Sequence, residues 1–205
     1  MNAFDSKSFR KEFEYMMNEN NLDTVIVLSH VNADGDAVGS VLSLSYYLDE
    51  LYPKIKVIPY LSEIEGEIRT IINTDKKFRD VFSYPKIEKE KEYAVIVCDT
   101  AIEEKIEGKI FFCGAKATMA IDHHLQNEKY ANINFIDYRE ACSEVIYSII
   151  DWTELLKTTE KKVLTAIAQY IYIGIIHDTG CFKRIDKYTF EIASDLISIG
   201  VEHKK

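Results

Sequence analysis

The stretch TVIVLSHVNADGDAVGS, residues 24–40, decides the fold class of this 205-residue chain. It begins with a short β-branched run, continues through a polar turn that contains glycine, and leads into an apolar stretch from Ala37 to Leu51. A β-branched run predicts a buried strand, and an apolar stretch of that length predicts a helix. The sequence therefore predicts a strand, a loop and a helix in succession.

The same alternation continues along the chain. Further apolar runs predict strands over residues 56–60, 94–98, 117–121 and 134–136. Amphipathic or apolar spacing predicts helices over residues 4–17, 159–175 and 189–199. Because parallel neighbours need a crossover connection, this alternation favours an α/β fold, a parallel sheet with helices on both faces. We expect one domain over residues 1–200, followed by the start of an interdomain linker at 201–205.

The composition limits the classes of protein that the chain can represent. With 47% apolar residues and a net charge of −9, it is globular and acidic. Such a chain is poorly suited to duplex DNA, so any nucleic-acid ligand should be short or held through metal ions. The four cysteines form no CxxC pair, which favours a reducing cytoplasm over a disulfide or zinc-finger framework. No signal peptide or membrane anchor is evident.

Acidic and imidazole side chains follow the carboxyl ends of the predicted strands, where open parallel sheets collect their ligands. They are His30, Asp34 and Asp36 after the first strand, Asp99 after the third, Asp122, His123 and His124 after the fourth, and Asp178 at the end of the long helix. Taken separately, each cluster also fits a turn or a helix cap. A binuclear metal site accounts for all of them together, because clustered carboxylates and imidazoles would repel and desolvate one another without a cation.

The chemistry of these side chains indicates which ions the site would take. Carboxylates and imidazoles without a thiolate favour Mn²⁺ or Mg²⁺, with Fe²⁺ or Co²⁺ as further candidates, over structural zinc. The imidazoles favour manganese over magnesium. Asp122 stands beside the two histidines and is expected to orient a metal-bound imidazole through a hydrogen bond.

With these clusters the chain resembles the DHH phosphoesterase family, whose name comes from the triplet at residues 122–124. Four signatures of that family occur in order: SHVNADGDAVGS at 29–40, VIVCDT at 95–100, AIDHH at 120–124 and GIIHDTG at 174–180. The likeness spans about residues 25–200 and is greatest to the nanoRNase and 3′-phosphoadenosine 5′-phosphate (pAp) phosphatase branch, with the RecJ exonucleases as relatives. It implies a DHH catalytic domain over residues 1–200. Members of the family normally continue into a C-terminal DHHA1 domain, which we expect this chain to lack.

The resemblance also implies a role for each candidate residue. His30 and Asp34 would bind one metal ion, and Asp36, His123 and Asp178 would bind the other. Asp99 would bridge both ions. His124 would face the substrate phosphate, and Asp122 would be the orienting partner. Ser40, near a helix N-terminus, and the cations Lys183 and Arg184 are candidates for phosphate binding, although the two cations are equally well explained as solvated surface residues.

These roles predict two-metal hydrolysis of a phosphoester. Four ligand carboxylates contribute −4 and two divalent ions restore +4, so the loaded site can receive an anionic phosphate. The resemblance implies short oligoribonucleotides, cut to release nucleoside monophosphates, and pAp as substrates. The alternatives are a cyclic-dinucleotide or linear-dinucleotide phosphodiesterase, and a fragment that binds metal and nucleotide but is inactive without its second domain. A homodimer is compatible with the resemblance.

Overall fold

Five parallel strands form a single sheet in the computed structural model, which describes residues 5–62, 64, 66–78, 80–88 and 90–203. They are β1 Thr24–Leu28, β2 Lys56–Pro59, β3 Ala94–Cys98, β4 Ala117–Asp122 and β5 Ile133–Ile136. The strand order is β2-β1-β3-β4-β5, and every neighbouring pair is parallel. The predicted α/β class is confirmed, and each predicted strand agrees with the structure to within one residue at either end.

Helices occupy most of the connections between and after the strands. In the described residues they are α1 Ser6–Glu19, α2 Gly35–Leu51, α3 Gly66–Thr74, α4 Lys109–Gly114, α5 Cys142–Ile149, α6 Trp152–Thr158, α7 Lys161–Asp178 and α8 Lys187–Ile199, with a 3₁₀ helix at Glu103–Lys105. Of the predicted first helix, Phe4 lies outside the described residues. Helix α2 begins two residues before the predicted Ala37, because the Asp34 side chain accepts hydrogen bonds from the first turn and caps it.

The two faces of the sheet are covered unequally. On the larger face, Val25 and Val27 of β1 join a core that α1, α2, α5 and α7 complete. On the smaller face, Ile26 and Leu28 pack in a cluster with the aromatic rings of α4. Strands β1, β3 and β4 are buried along their whole length, which explains their continuous apolar sequences.

Helices α2 and α7 approach each other closely at two glycines. A Cβ atom on Gly39 would lie 2.5 Å from the carbonyl oxygen of Tyr170, and one on Gly174 would lie 2.6 Å from Oδ1 of Asp36. Neither position has room for a side chain. This contact brings the last turn of α7 beside the first turn of α2, at the carboxyl edge of the sheet.

The strand order places a crevice between the carboxyl ends of β1 and β3. Strand β2 lies on one side of β1 and β3 on the other, so the chain reverses its direction of travel across the sheet there. Parallel sheets bind ligands at such a reversal. In the described residues, no helix has the length and apolarity needed to cross a membrane. The predicted linker at 201–205 follows α8, and its last two residues lie outside the described part of the chain.

Candidate metal centre

The predicted ligands meet in this crevice from four separate parts of the chain. They are His30 and Asp34 after β1, Asp36 in the first turn of α2, Asp99 after β3, His123 after β4, and Asp178 at the end of α7. His124, which was expected to face the substrate phosphate, directly follows His123. Residues far apart in sequence therefore share one centre.

Asp99 lies in the middle of this centre. Its Oδ2 is 3.5 Å from Nε2 of His30, and its Oδ1 is 3.3 Å from Nε2 of His123. The residue is 4% exposed and has a φ of 52°, a left-handed conformation that aspartate adopts more readily than most residues. The two carboxylate oxygens thus face two different imidazoles, which is the arrangement that a bridging ligand requires.

His30, Asp34 and Asp99 form the first ligand group. Nε2 of His30 lies 4.0 Å from Oδ1 of Asp34, while its Nδ1 lies 2.9 Å from the carbonyl oxygen of Val31. A ring nitrogen that donates to a carbonyl leaves the other nitrogen free to ligate a cation. Asp34 Oδ1 accepts two backbone hydrogen bonds from the first turn of α2, so the helix cap also fixes this carboxylate.

Asp36, His123 and Asp178 form the second group. Nε2 of His123 lies 3.9 Å from Oδ2 of Asp36 and 3.5 Å from Oδ2 of Asp178. Asp36 is fully buried, and its two oxygens accept the backbone N–H groups of Cys142, at 2.5 Å, and Ser143, at 2.9 Å. The start of α5 therefore holds this carboxylate in place, with its negative charge at the favourable end of the helix.

The prediction for Asp122 needs a correction, because this carboxylate orients a different imidazole from the one expected. Its Oδ1 lies 2.7 Å from Nδ1 of His124, and its Oδ2 accepts a hydrogen bond of 2.6 Å from Asn127. Nδ1 of His123 instead contacts the carbonyl oxygen of Arg139 at 3.0 Å. A backbone carbonyl therefore orients the candidate ligand, whereas Asp122 orients the histidine expected to face substrate.

The electrostatics of the cluster favour a cation. Burial raises the pKa of Asp36 and of Asp178, and the charge of Asp99 adds to both shifts. Burial also opposes ionisation of Asp99, but the two imidazoles outweigh it and hold the pKa of that carboxyl low. In return, the contact with Asp99 raises the pKa of His30 to about 9. The pKa of His123 rises to about 10, because the carboxylates outweigh the effect of burial. Without metal, protons neutralise the site in place of divalent ions.

The structure does not support the predicted phosphate contacts. Ser40 lies in the second turn of α2, fully buried, and its hydroxyl lies 3.2 Å from the hydroxyl of Ser143. It is therefore neither at the helix N-terminus nor exposed to a ligand. The guanidinium of Arg184 donates to the carbonyl oxygen of Asp178, and neither Arg184 nor Lys183 lines the cleft.

Two residues of the site were missed from the sequence. His177 lies 3.8 Å from Asp34 and 3.4 Å from Asp178, and these three residues form a further group that could hold a metal ion. The position of His177 directly before Asp178, within the fourth signature, could have identified it as a site residue. Asn127, which donates to Asp122, follows no periodic pattern and gave no signal.

The donor set suits divalent cations. In each group, the carboxylate oxygens and imidazole nitrogens that could act as ligands lie within 4.8 Å of one another. The neighbouring cleft has a volume of about 350 Å³, and the residues that line it include His30, Asp34, Asp99, His124 and Asp178. Oxygen and imidazole ligands without thiolate match the preferences of Mn²⁺ and related ions.

Fold and site together define a member of a family of metal-dependent proteins. The model of the DHH family N-terminal domain matches residues 24–175, and the chain belongs to this family. It is 32% identical, over 182 residues, to the "bifunctional oligoribonuclease and PAP phosphatase NrnA" of Bacillus subtilis. It is 29% identical to the "probable bifunctional oligoribonuclease and PAP phosphatase NrnA" of Streptococcus mutans. The chain spans 53% and 52% of these relatives, about half of their length.

Solved structures agree on the fold. An exopolyphosphatase-related protein from Bacteroides fragilis matches with a TM-score of 0.73 and 20% identity, covering 100% of this chain and 60% of that one. A putative family II inorganic pyrophosphatase from Methanococcus jannaschii matches with a TM-score of 0.60 and 23% identity, covering 85% and 56% of the two chains.

Proposed function

We propose that this chain is the catalytic domain of a metal-dependent phosphoesterase that hydrolyses short oligoribonucleotides, pAp, or both. The observation that carries the proposal is the meeting of carboxylates and imidazoles from four parts of the chain at the reversal point of a parallel sheet. The names of the relatives at 29–32% identity support this substrate class. The acidic net charge of −9 also suits a short substrate better than a duplex.

The site would hold two divalent ions, Mn²⁺ above all. His30 and Asp34 would hold one ion, and Asp36, His123 and Asp178 would hold the other, with Asp99 between them. Bound there, the ions supply Lewis acidity and a reactive water at neutral pH. The four carboxylates balance the charge of two divalent ions, so the loaded site carries no net negative charge that would oppose an anionic phosphate.

His124 is the residue proposed to contact the reacting phosphate. It lines the cleft, and its Nδ1 lies 2.7 Å from Asp122. That contact raises the pKa of His124 and favours the charged imidazolium. A fixed cation beside the phosphate would offset the negative charge that develops during hydrolysis. Asp122 and Asn127 would maintain its orientation without touching the substrate.

The test is turnover by the pure chain with Mn²⁺, offered pAp, the dinucleotide pApA, cyclic di-AMP and pyrophosphate. We expect release of AMP from pAp and pApA. Preferential turnover of cyclic di-AMP would favour the alternative of a cyclic-dinucleotide phosphodiesterase. Cleavage of pApA by a protein that does not cleave pAp would favour a linear-dinucleotide phosphodiesterase. His124→Ala should abolish turnover but keep metal binding. Wild-type protein that binds Mn²⁺ and turns over none of these compounds would contradict the assignment as an enzyme.

A proposal of another class is that the chain binds metal and nucleotide but needs a further domain for catalysis. The chain spans only 53% of the relative from Bacillus subtilis, which is the observation that favours it. Joining this chain to the remaining half of a relative would test it, and an unchanged rate would contradict it. Several further expectations stay predictions. They are the domain limits at 1–200 and 201–205, the cytoplasmic location and the homodimer.

A further inference from the structure

Among the described residues, Lys105 is the one lysine or arginine that lines the cleft. Lys183 and Arg184, the candidate phosphate-binding cations, lie outside the cleft lining. Lys105 instead lines the same cleft as the candidate metal ligands, together with Val31 and Ile102.

The backbone of Lys105 is fixed to the loop that carries the candidate ligands. Its carbonyl oxygen accepts a 2.8 Å hydrogen bond from the N–H of Val31, and its own N–H donates to Ile102 at 3.0 Å. The next residue, Ile106, forms an antiparallel bridge with His30. The base of the lysine side chain is therefore held at a constant place beside the metal centre, while the side chain itself is exposed.

The charge of Lys105 is also not neutralised by a neighbour. The adjacent carboxylates, Glu103 and Glu104, approach Lys109 at 3.2 Å and 3.8 Å. Within the described residues, Lys105 has no ion pair of its own. An unpaired ammonium in a cleft whose other ionisable groups are carboxylates and imidazoles is suited to an anionic part of the ligand.

The charge balance identifies that part of the ligand. Two divalent ions neutralise the four ligand carboxylates, and His124 is placed for the phosphate under attack. A second phosphate on the same nucleotide needs a further cation in the cleft, and Lys105 supplies one. Val31 and Ile102, 37% and 41% exposed, offer apolar contacts for a nucleoside beside that cation.

We propose that Lys105 binds the phosphate that is not attacked, so that the cleft selects nucleotides carrying two phosphate groups over those carrying one. This inference rests on the proposed function, since it names how that same cleft would recognise pAp or a dinucleotide. It makes Lys105 a residue that determines specificity through direct contact with the substrate.

The experiment compares binding of two non-hydrolysable ligands in the presence of Mn²⁺. One is the bisphosphonate analogue of adenosine 3′,5′-bisphosphate, and the other is the 3′-monophosphonate analogue of adenosine 3′-phosphate, which keeps the phosphate under attack and lacks the 5′-phosphate. Isothermal titration calorimetry is performed on the wild type, on Lys105→Met and on Lys105→Arg. Lys116→Met is the matched control, because Lys116 precedes β4 at the opposite edge of the sheet and pairs with Glu92.

We expect Lys105→Met to weaken binding of the bisphosphonate by about 10-fold, the effect of losing one charge-assisted contact. Its affinity for the monophosphonate should change by less than about twofold, because that ligand needs no second cation. Lys105→Arg should stay close to wild type, and Lys116→Met should match wild type for both ligands. Unchanged melting temperatures would show that the variants fold.

If Lys105→Met weakens the binding of both ligands equally, or of neither, the proposed role of Lys105 is wrong. Wild-type protein that binds neither analogue would also overturn it. Hydrolysis is judged separately. A wild type that prefers the bisphosphonate through Lys105 but cleaves nothing would support this inference and contradict the proposed function. A Lys105→Met variant that cleaves pAp as well as the wild type does would contradict the inference alone.

Discussion

Asp99→Asn is the substitution that most directly tests the shared metal centre. Among the described residues, Asp99 is the one carboxylate with an oxygen near Nε2 of His30 and another near Nε2 of His123, at 3.5 Å and 3.3 Å. Asparagine keeps the shape and tolerates the left-handed backbone, with its φ of 52°, but removes the charge. Both candidate ions would lose a ligand, and the carboxylate charge of the site would fall from −4 to −3.

The expected size of the effect follows from linkage. An ion present at 100 times its dissociation constant stabilises the folded protein by about 2.7 kcal/mol. For a chain of this size, each kcal/mol raises the melting temperature by about 2–4 °C. Mn²⁺ should therefore raise the melting temperature of the wild type by about 5–11 °C. We expect a rise of less than about 2 °C for Asp99→Asn, because that corresponds to loss of most of the binding free energy.

The measurement is thermal unfolding with and without Mn²⁺, followed by titration calorimetry. Asp99→Ala should also lose the metal response. It should in addition melt lower without metal, because alanine in a left-handed conformation costs roughly 1 kcal/mol. Glu88→Ala, an exposed change outside the cleft, should behave as wild type. If Asp99→Asn keeps the full metal-induced rise, Asp99 is not a shared ligand, and the centre is built differently.

Three further outcomes follow from the same geometry. Mn²⁺ affinity should keep increasing from pH 7 to about 9. In the metal-free protein His30 and His123 have pKa values of about 9 and about 10, so each must lose a proton when the metal ion binds. Calorimetry that shows no proton release at pH 7 would contradict this prediction. Gly174→Ala should destabilise the protein by about 3 kcal/mol and weaken metal binding, because the new Cβ would overlap Oγ of Ser143. Unfolding in denaturant measures the loss of stability. His124→Ala should reduce the turnover of pAp by at least about 100-fold while the Mn²⁺ titration stays unchanged, and equal loss of both would make His124 a ligand instead.

The strands and the acidic clusters could be predicted from the sequence because each has a local cause. The central strands are buried on both faces, so they appear as unbroken apolar runs such as residues 94–98. A carboxylate that directly follows such a run, as Asp99 does, must lie at the carboxyl edge of a parallel sheet. The position of Asp99 could therefore be inferred without the structure, although its two imidazole neighbours could not be paired with particular oxygens.

Other features depend on contacts between distant segments and left no local pattern. The hydroxyl of Ser40 faces Ser143, 103 residues further along the chain, so its burial could not be inferred from a helix start. Lys105 follows the strand end by several residues and lies among glutamates, where its lining of the cleft has no sequence signal. The carbonyl of Arg139 that orients His123 belongs to the backbone, so no sequence motif could identify it.

The metal centre depends on the packing of three helices as much as on its ligands. Asp36 is carried by α2, its oxygens accept the first backbone N–H groups of α5, and Gly174 of α7 leaves the space that both occupy. A Cβ at residue 174 would lie 2.6 Å from Oδ1 of Asp36, so the helix contact and the carboxylate position cannot change independently. Divalent ions bound there would hold α2, the strand ends and α7 together. Metal affinity should therefore respond to core substitutions along the contact between α2 and α7, even where those residues touch no ligand.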